Sequence, residues 1–103
     1  MIARVWRGAT RAEDADEYAA YVEESGLKAA RALDGSRGTL VLHRVDGDTA
    51  EFTTILLFDS LDNVRSFAGD EIARAVFFPE DDRYLVDRDL HVAHHIVDLR
   101  IPG

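Results

Sequence analysis

The fold turns on the stretch Gly38-Thr39-Leu40-Val41-Leu42-His43-Arg44-Val45-Asp46-Gly47-Asp48-Thr49-Ala50-Glu51-Phe52-Thr53-Thr54-Ile55-Leu56-Leu57-Phe58. Two strand-like runs, Gly38 to Val45 and Ala50 to Phe58, flank Asp46-Gly47-Asp48, a hairpin signal. Residues Phe52 through Phe58 are apolar or threonine throughout, so both faces of this strand need cover, as in the middle of a sheet. Phe52, Leu56 and Phe58 fall on one face and Ile55 and Leu57 on the other.

Upstream of the hairpin, Asp34-Gly35-Ser36 reads as a turn. Before it, Ala15, Tyr18, Ala19, Val22, Gly26, Ala29, Ala30 and Leu33 recur at helical steps and form one apolar stripe. Thr10-Arg11-Ala12-Glu13 has capping-box spacing for the start of that helix. Ser25-Gly26 is expected to break or kink it, because glycine costs about 1 kcal/mol in a helix interior. The chain opens with a strand, Ile2 to Gly8, in which Ile2, Arg4 and Trp6 share a face.

Downstream, Asp59 or Ser60 is placed to cap a second helix with Leu61, Val64, Phe67 and Ala68 buried. Ile72 to Phe78 is short helix or irregular. Pro79 opens a further short helix, Glu80 to Val86, with Glu80, Asp81 and Asp82 as a solvated first turn. Leu90 to Leu99 is the last strand, and Arg100 to Gly103 a tail. The order β-α-β-β-α-β predicts an α+β, ferredoxin-like domain over residues 1–103, with a four-stranded antiparallel sheet covered by helices on one face. The uncovered face is apolar enough to need a partner, which predicts a homodimer with a pocket inside each subunit.

The net charge is −8, and Lys28 is the only lysine among scattered arginines, which argues against nucleic acid and anionic membranes as partners. Hydrophobic residues make up 47% of the chain, enough for a core. There is no cysteine, which removes disulfides, Fe–S clusters and thiol nucleophiles. No apolar run reaches the ~20 residues of a membrane span. The start of the chain reads as a strand and not as a signal peptide, so a cytoplasmic protein is expected. No glycine-rich phosphate loop, serine nucleophile elbow or metal-spaced histidine cluster is present.

Arg4 and Trp6 are the most informative pair. On an inward face, Arg4 offers a charged fork to a carboxylate or phenolate, and Trp6 a flat wall to an aromatic ligand. The plainer reading pairs Arg4 with an acid and makes Trp6 core. Phe77, Phe78 and Tyr84 bracket Pro79 and form either a pocket lid or a plug between helix and sheet. His94 and His95 are adjacent on a strand and point to opposite faces. His91 and His95 share a face but lie about 13 Å apart, too far for one metal ion. No metal or cofactor is expected from these residues.

The strand Ile2-Ala3-Arg4-Val5-Trp6, the segment Phe58-Asp59-Ser60, the run Phe78-Pro79-Glu80-Asp81-Asp82-Arg83-Tyr84-Leu85 and the closing Val92-Ala93-His94 together resemble the antibiotic-biosynthesis monooxygenase-like family. The resemblance covers nearly the whole chain. It implies a dimeric α+β barrel, and activities that include cofactor-free oxygenation of aromatic polyketides and haem degradation. The haem-degrading branch fits badly: the first strand has no asparagine, and the second helix has neither a tryptophan nor a following histidine. His94 matches the closing histidine of the family and is the candidate general base, with Arg4 as its catalytic partner. His95 stands where an aromatic residue is more usual. Trp6, Phe77, Phe78, Tyr84 and His95 are the candidate substrate contacts. The leading expectation is a cofactor-free monooxygenase-like enzyme for an aromatic or enolisable hydrophobic small molecule. The rivals are a non-catalytic ligand-binding or stress-response barrel, and a purely structural dimerisation module.

Overall fold

The expected hairpin is present as β2 (Ser36–Asp46) and β3 (Thr49–Phe58), joined by Gly47 and Asp48. Gly47 has φ 62°, a conformation that glycine adopts without steric cost at the first position of a two-residue loop. The structure, a computed structural model, describes residues 1–101, so the last two residues of the expected tail lie outside the described residues. β3 sits between β2 and β1 (Ile2–Arg11), pairing antiparallel with both, so its apolar run has neighbours on either side.

The other edge of β1 is shared. β4 (Leu85–Arg88) pairs with Gly8 to Thr10, and β5 (Ala93–Ile96) pairs with Ile2 to Val5. The antiparallel sheet therefore has five strands among the described residues, not the expected four. The helix expected over Glu80 to Val86 is only α4 (Asp81–Tyr84). It stops because Leu85 turns extended, at ψ 121°, to pair with Thr10. The strand expected over Leu90 to Leu99 is regular only at β5, while His91 makes an isolated bridge to Arg74.

β1 runs three residues further than the sequence indicated, and the capping box is not used. Thr10 is fully buried opposite Ala50, and its hydroxyl donates to the Arg11 carbonyl at 2.9 Å. The chain enters α1 (Ala15–Val22) through a 3-10 turn, Ala12–Asp14. The expected break at Ser25-Gly26 is a π turn, Glu23–Leu27, which leads without interruption into α2 (Lys28–Arg31). Ser25 Oγ donates to the Tyr21 carbonyl at 2.8 Å there. A π turn accommodates one extra residue. The buried stripe accordingly runs Ala15, Tyr18, Val22, then Leu27 in place of Gly26, then Ala30. α3 (Leu61–Ala68) is capped as expected by Ser60, whose Oγ accepts from the Asn63 N–H.

Tyr18, Val22, Phe52, Leu56, Phe58 and Val64 are the centre of the buried cluster, on the helix-facing side of the sheet. The opposite face, with Val5, Ile55, Leu57, Leu40 and Leu42, lies outside that cluster. Leu40 and Leu42 are 53% and 48% exposed.

On the helix-facing side the Trp6 ring folds back over Gly8: a Cβ at residue 8 would collide with Trp6 Cη2. The indole Nε1 donates to the Asp89 carbonyl at 2.8 Å, which fixes the ring there. Gly8→Ala is therefore expected to lower stability by about 1–3 kcal/mol, as overpacking does. It is also expected to shift the emission of Trp6, the only tryptophan. Urea denaturation followed by fluorescence measures both, and an unchanged midpoint with an unchanged spectrum would contradict this packing.

Candidate functional site

Between the sheet and the π turn lies a cavity of about 70 Å³. Its walls follow from the alternation of the central strands: β1 contributes Arg4 and Trp6, and β3 contributes Thr54 and Leu56. The π turn brings Ser25, Gly26 and Leu27 to it, and Val76, Phe77 and Phe78 close another side. Phe78 packs where a side chain at Gly26 would begin, 3.4 Å from an ideal Cβ. The Phe77 ring meets Trp6 edge-on, with centroids 6.2 Å apart. The cavity surface is therefore largely aromatic and aliphatic.

Arg4 is only 3% exposed. Its guanidinium donates to the carbonyls of Ile72 and Arg74, the latter at 2.8 Å, and lies 5.6 Å over the Phe67 ring. Its third hydrogen-bond partner is His94 Nε2, at 3.1 Å. No carboxylate among the described residues pairs with it. Burial lowers its pKa to about 10, so it stays protonated at neutral pH. A buried cation held only by neutral partners attracts an anion strongly, because the surroundings screen its field poorly.

Arginine has no lone pair to offer, so His94 Nε2 is the acceptor and the neutral ring carries its proton on Nδ1. Burial first, then the charge of Arg4 and then His95, holds the His94 pKa below its ordinary value. His94 does not line the cavity and meets it only through Arg4. With its Nε2 lone pair directed at a cation, it is placed to orient Arg4 and poorly placed to take a proton.

The structure brings a different acid to the cavity. Asp81 is 6% exposed, which corrects its reading as part of a solvated helix start. One carboxylate oxygen accepts from the Phe78 N–H at 2.7 Å and the other from the Tyr18 hydroxyl at 3.3 Å. Burial raises the pKa of Asp81, and its two hydrogen bonds oppose the rise. Burial and the neighbouring Asp81 carboxylate both raise that of Tyr18, which keeps the phenol a donor.

Of the residues singled out from sequence, Arg4, Trp6, Phe77 and Phe78 line one cavity, with His94 behind Arg4. Tyr84 stands behind Tyr18, packed on it at 5.6 Å between centroids, and its hydroxyl donates to Glu17 at 3.1 Å. His95 pairs with Ala3, which puts it on the other face of the sheet, exposed and away from the cavity. Tyr18 and Asp81 were missed as site residues. The only signal for either was Tyr18 in the buried stripe and Asp81 in the segment after Pro79. Among the described residues no group of three or more potential ligands is placed to hold a metal ion. No helix there is long and apolar enough to cross a membrane.

No protein-family model matches the chain, and no curated protein matches it in sequence. Solved structures do match. A candidate antibiotic biosynthesis monooxygenase from Bacillus cereus superposes with a TM-score of 0.69 at 11% identity, covering 99% of this chain and 97% of that one. A MhuD variant with two manganese protoporphyrin IX molecules bound per active site gives 0.66 at 16% identity, over 100% of both chains. A Mycobacterium tuberculosis protein gives 0.60 at 18% identity, over 99% of this chain and 98% of that one. The chain thus has the α+β, ferredoxin-like fold of antibiotic-biosynthesis monooxygenase-like proteins.

The depressed pKa of His94 has a defined consequence for stability. The folded protein holds a proton at His94 less tightly than the unfolded chain does. Its contribution is present above the ordinary value of 6.5 and is lost as pH falls below it through the folded pKa. Thermal melts between pH 7.5 and 5 should show wild type losing stability faster than His94→Gln, whose amide oxygen still accepts from Arg4. Coincident slopes would mean that His94 is not desolvated beside a cation.

Proposed function

We propose that the chain is a cofactor-free monooxygenase-like enzyme acting on a hydrophobic, enolisable or phenolic small molecule. The observation that carries this reading is Arg4: buried, positively charged, without a carboxylate partner, and lining a cavity walled by Trp6, Phe77 and Phe78. In this chemistry the substrate gives up a proton to form a carbanion or phenolate. That anion passes one electron to dioxygen, and the substrate radical and superoxide combine into a peroxide. The peroxide loses water and leaves a carbonyl, so that one oxygen atom enters the product and the other leaves as water. The protein has to lower the energy of the anion and keep the site dry. The charge of Arg4 does the first and the aromatic walls do the second.

A porphyrin does not fit the cavity. Its volume of about 70 Å³ is far below the several hundred Å³ of typical cofactor sites, and no histidine lines it to serve as an axial ligand. One observation favours a second reading, a small-molecule-binding protein without catalysis: His94, the base expected from sequence, is engaged with Arg4 and outside the cavity. We propose further that two copies pair through the face carrying Leu40, Leu42, Ile55, Leu57 and Val5, which hides an apolar surface that one chain leaves open. A cytoplasmic setting belongs to the same proposal.

Oxygen uptake by the purified protein, with single-ring quinols and no added cofactor, tests the reaction. Arg4→Met is expected to cut the rate by about 10²–10³, the usual loss for a donor facing a developing oxyanion. Arg4→Lys, which keeps the charge, should retain more. Uptake unchanged in a folded Arg4→Met protein would remove Arg4 from the mechanism, and binding without uptake favours the second reading. Sedimentation at micromolar concentration should give twice the chain mass, and Leu42→Arg should return it to one. A wild-type monomer would end the pairing proposal.

A further inference from the structure

The cavity has two polar ends, and they sit at different levels of the sheet. Arg4 lies opposite Leu56 on β3, Trp6 opposite Thr54, and Gly8 opposite Phe52. The Tyr18 ring meets Phe52 edge-on at 5.0 Å, and Tyr18 in turn donates to Asp81. The Arg4 level and the Tyr18–Asp81 level are thus four residues apart on β3, about 13 Å of strand. Trp6, Phe77 and Phe78 line the space between.

Neither polar end neutralises the other. Arg4 is held by the Ile72 and Arg74 carbonyls and His94, and Asp81 by Tyr18 and the Phe78 N–H. Arg88, the cation whose charge reaches Asp81, spends its own hydrogen bond on Asp82 at 2.8 Å and stacks on Phe77. Each Asp81 oxygen accepts one bond, and a carboxylate oxygen has two lone pairs, so acceptor capacity remains. Size narrows the ligand further. An engineered cavity that takes up benzene measures about 150 Å³, roughly twice this one, so one ring already has to push the walls outward and fused rings demand far more room.

We infer that the cavity takes a single-ring ligand with an anionic group at one end, held by Arg4, and a hydroxyl at the other, donated to Asp81. The inference rests on the reading of this cavity as the functional site, and it narrows the substrate to hydroxylated aromatic acids in place of polycyclic ones. It also moves the proton-accepting end from His94 to Asp81, the carboxylate that would touch the substrate hydroxyl.

Trp6 lines the cavity and is the only tryptophan, so its fluorescence reports occupancy directly. The probes are 4-hydroxybenzoate, benzoate and 4-methylphenol, titrated into the full-length protein at neutral pH. Wild type should bind 4-hydroxybenzoate about tenfold or more tighter than either single-ended probe, the effect of one buried charge-assisted hydrogen bond. Arg4→Met should erase the advantage over 4-methylphenol, and Asp81→Asn should reduce the advantage over benzoate. Tyr18→Phe, which frees an Asp81 oxygen without removing the carboxylate, should keep the preference and guards against reading a folding defect as lost binding. Equal affinity for 4-hydroxybenzoate and benzoate in wild type, or no quenching by any of the three, overturns the inference. Oxygen uptake separates the two claims. Quinol turnover without ring-acid binding leaves the oxygenase reading and removes this one. Selective binding without uptake does the reverse.

Discussion

Because β1 is paired with β3 along its whole length, Ile2 opposite Phe58 through Arg11 opposite Thr49, its side-chain alternation cannot drift. A slip of one residue would turn Arg4, Trp6 and Thr10 out of the helix-facing side and bring Ala3, Val5 and Arg7 in. That exchange would strip the cavity of Arg4 and of its aromatic wall, and would place Arg7 among the helices instead. The outer edge of β1 reinforces the register from two directions, since β5 pairs beside Arg4 and β4 beside Gly8. The gap between those short strands is bridged on the inner side by the Trp6 indole, which bonds to the Asp89 carbonyl. Sheet register, the conformation of Trp6 and the position of Arg4 are one constraint.

The electrostatics of the interior follow from that constraint. Burying an unpaired charge is costly, and proteins usually place an opposite charge beside it. Here the buried arginine and the buried aspartate stay apart, each supported by backbone groups and by a neutral side chain. The arrangement keeps both groups available to something that enters from outside, at the expense of stability. The π turn belongs to the same economy of form: its extra residue moves Leu27 into the core and sets Gly26 against Phe78, at the cavity wall.

Much of this was legible in the sequence, and the parts that were not have physical causes. The hairpin and the central position of β3 follow from Gly47 and the apolar run to Phe58. The shared face of Arg4 and Trp6 follows from the two-residue period of a strand. The meeting of Arg4 with His94 was not legible, because it depends on the register between β1 and a strand ninety residues away. The fifth strand was hidden because acidic residues after Pro79 look like the first turn of a longer helix, whereas Leu85 is drawn into the sheet by Thr10. The same local pattern concealed Asp81. Three consecutive acids look solvated, and only the tertiary packing of Tyr18 and Phe78 shows that one of them is turned inward. His95 shows the limit of strand parity: it fixes that adjacent histidines diverge, but not which of them faces the helices.

The proposed chemistry stands or falls with Arg4 holding an anion inside this cavity. A crystal structure of the protein grown with 4-hydroxybenzoate tests it most directly. Ring density is expected between Trp6 and Phe78, with the carboxylate against the Arg4 guanidinium and the hydroxyl against Asp81. An empty cavity at saturating ligand, or a ring bound with its carboxylate away from Arg4, would contradict it.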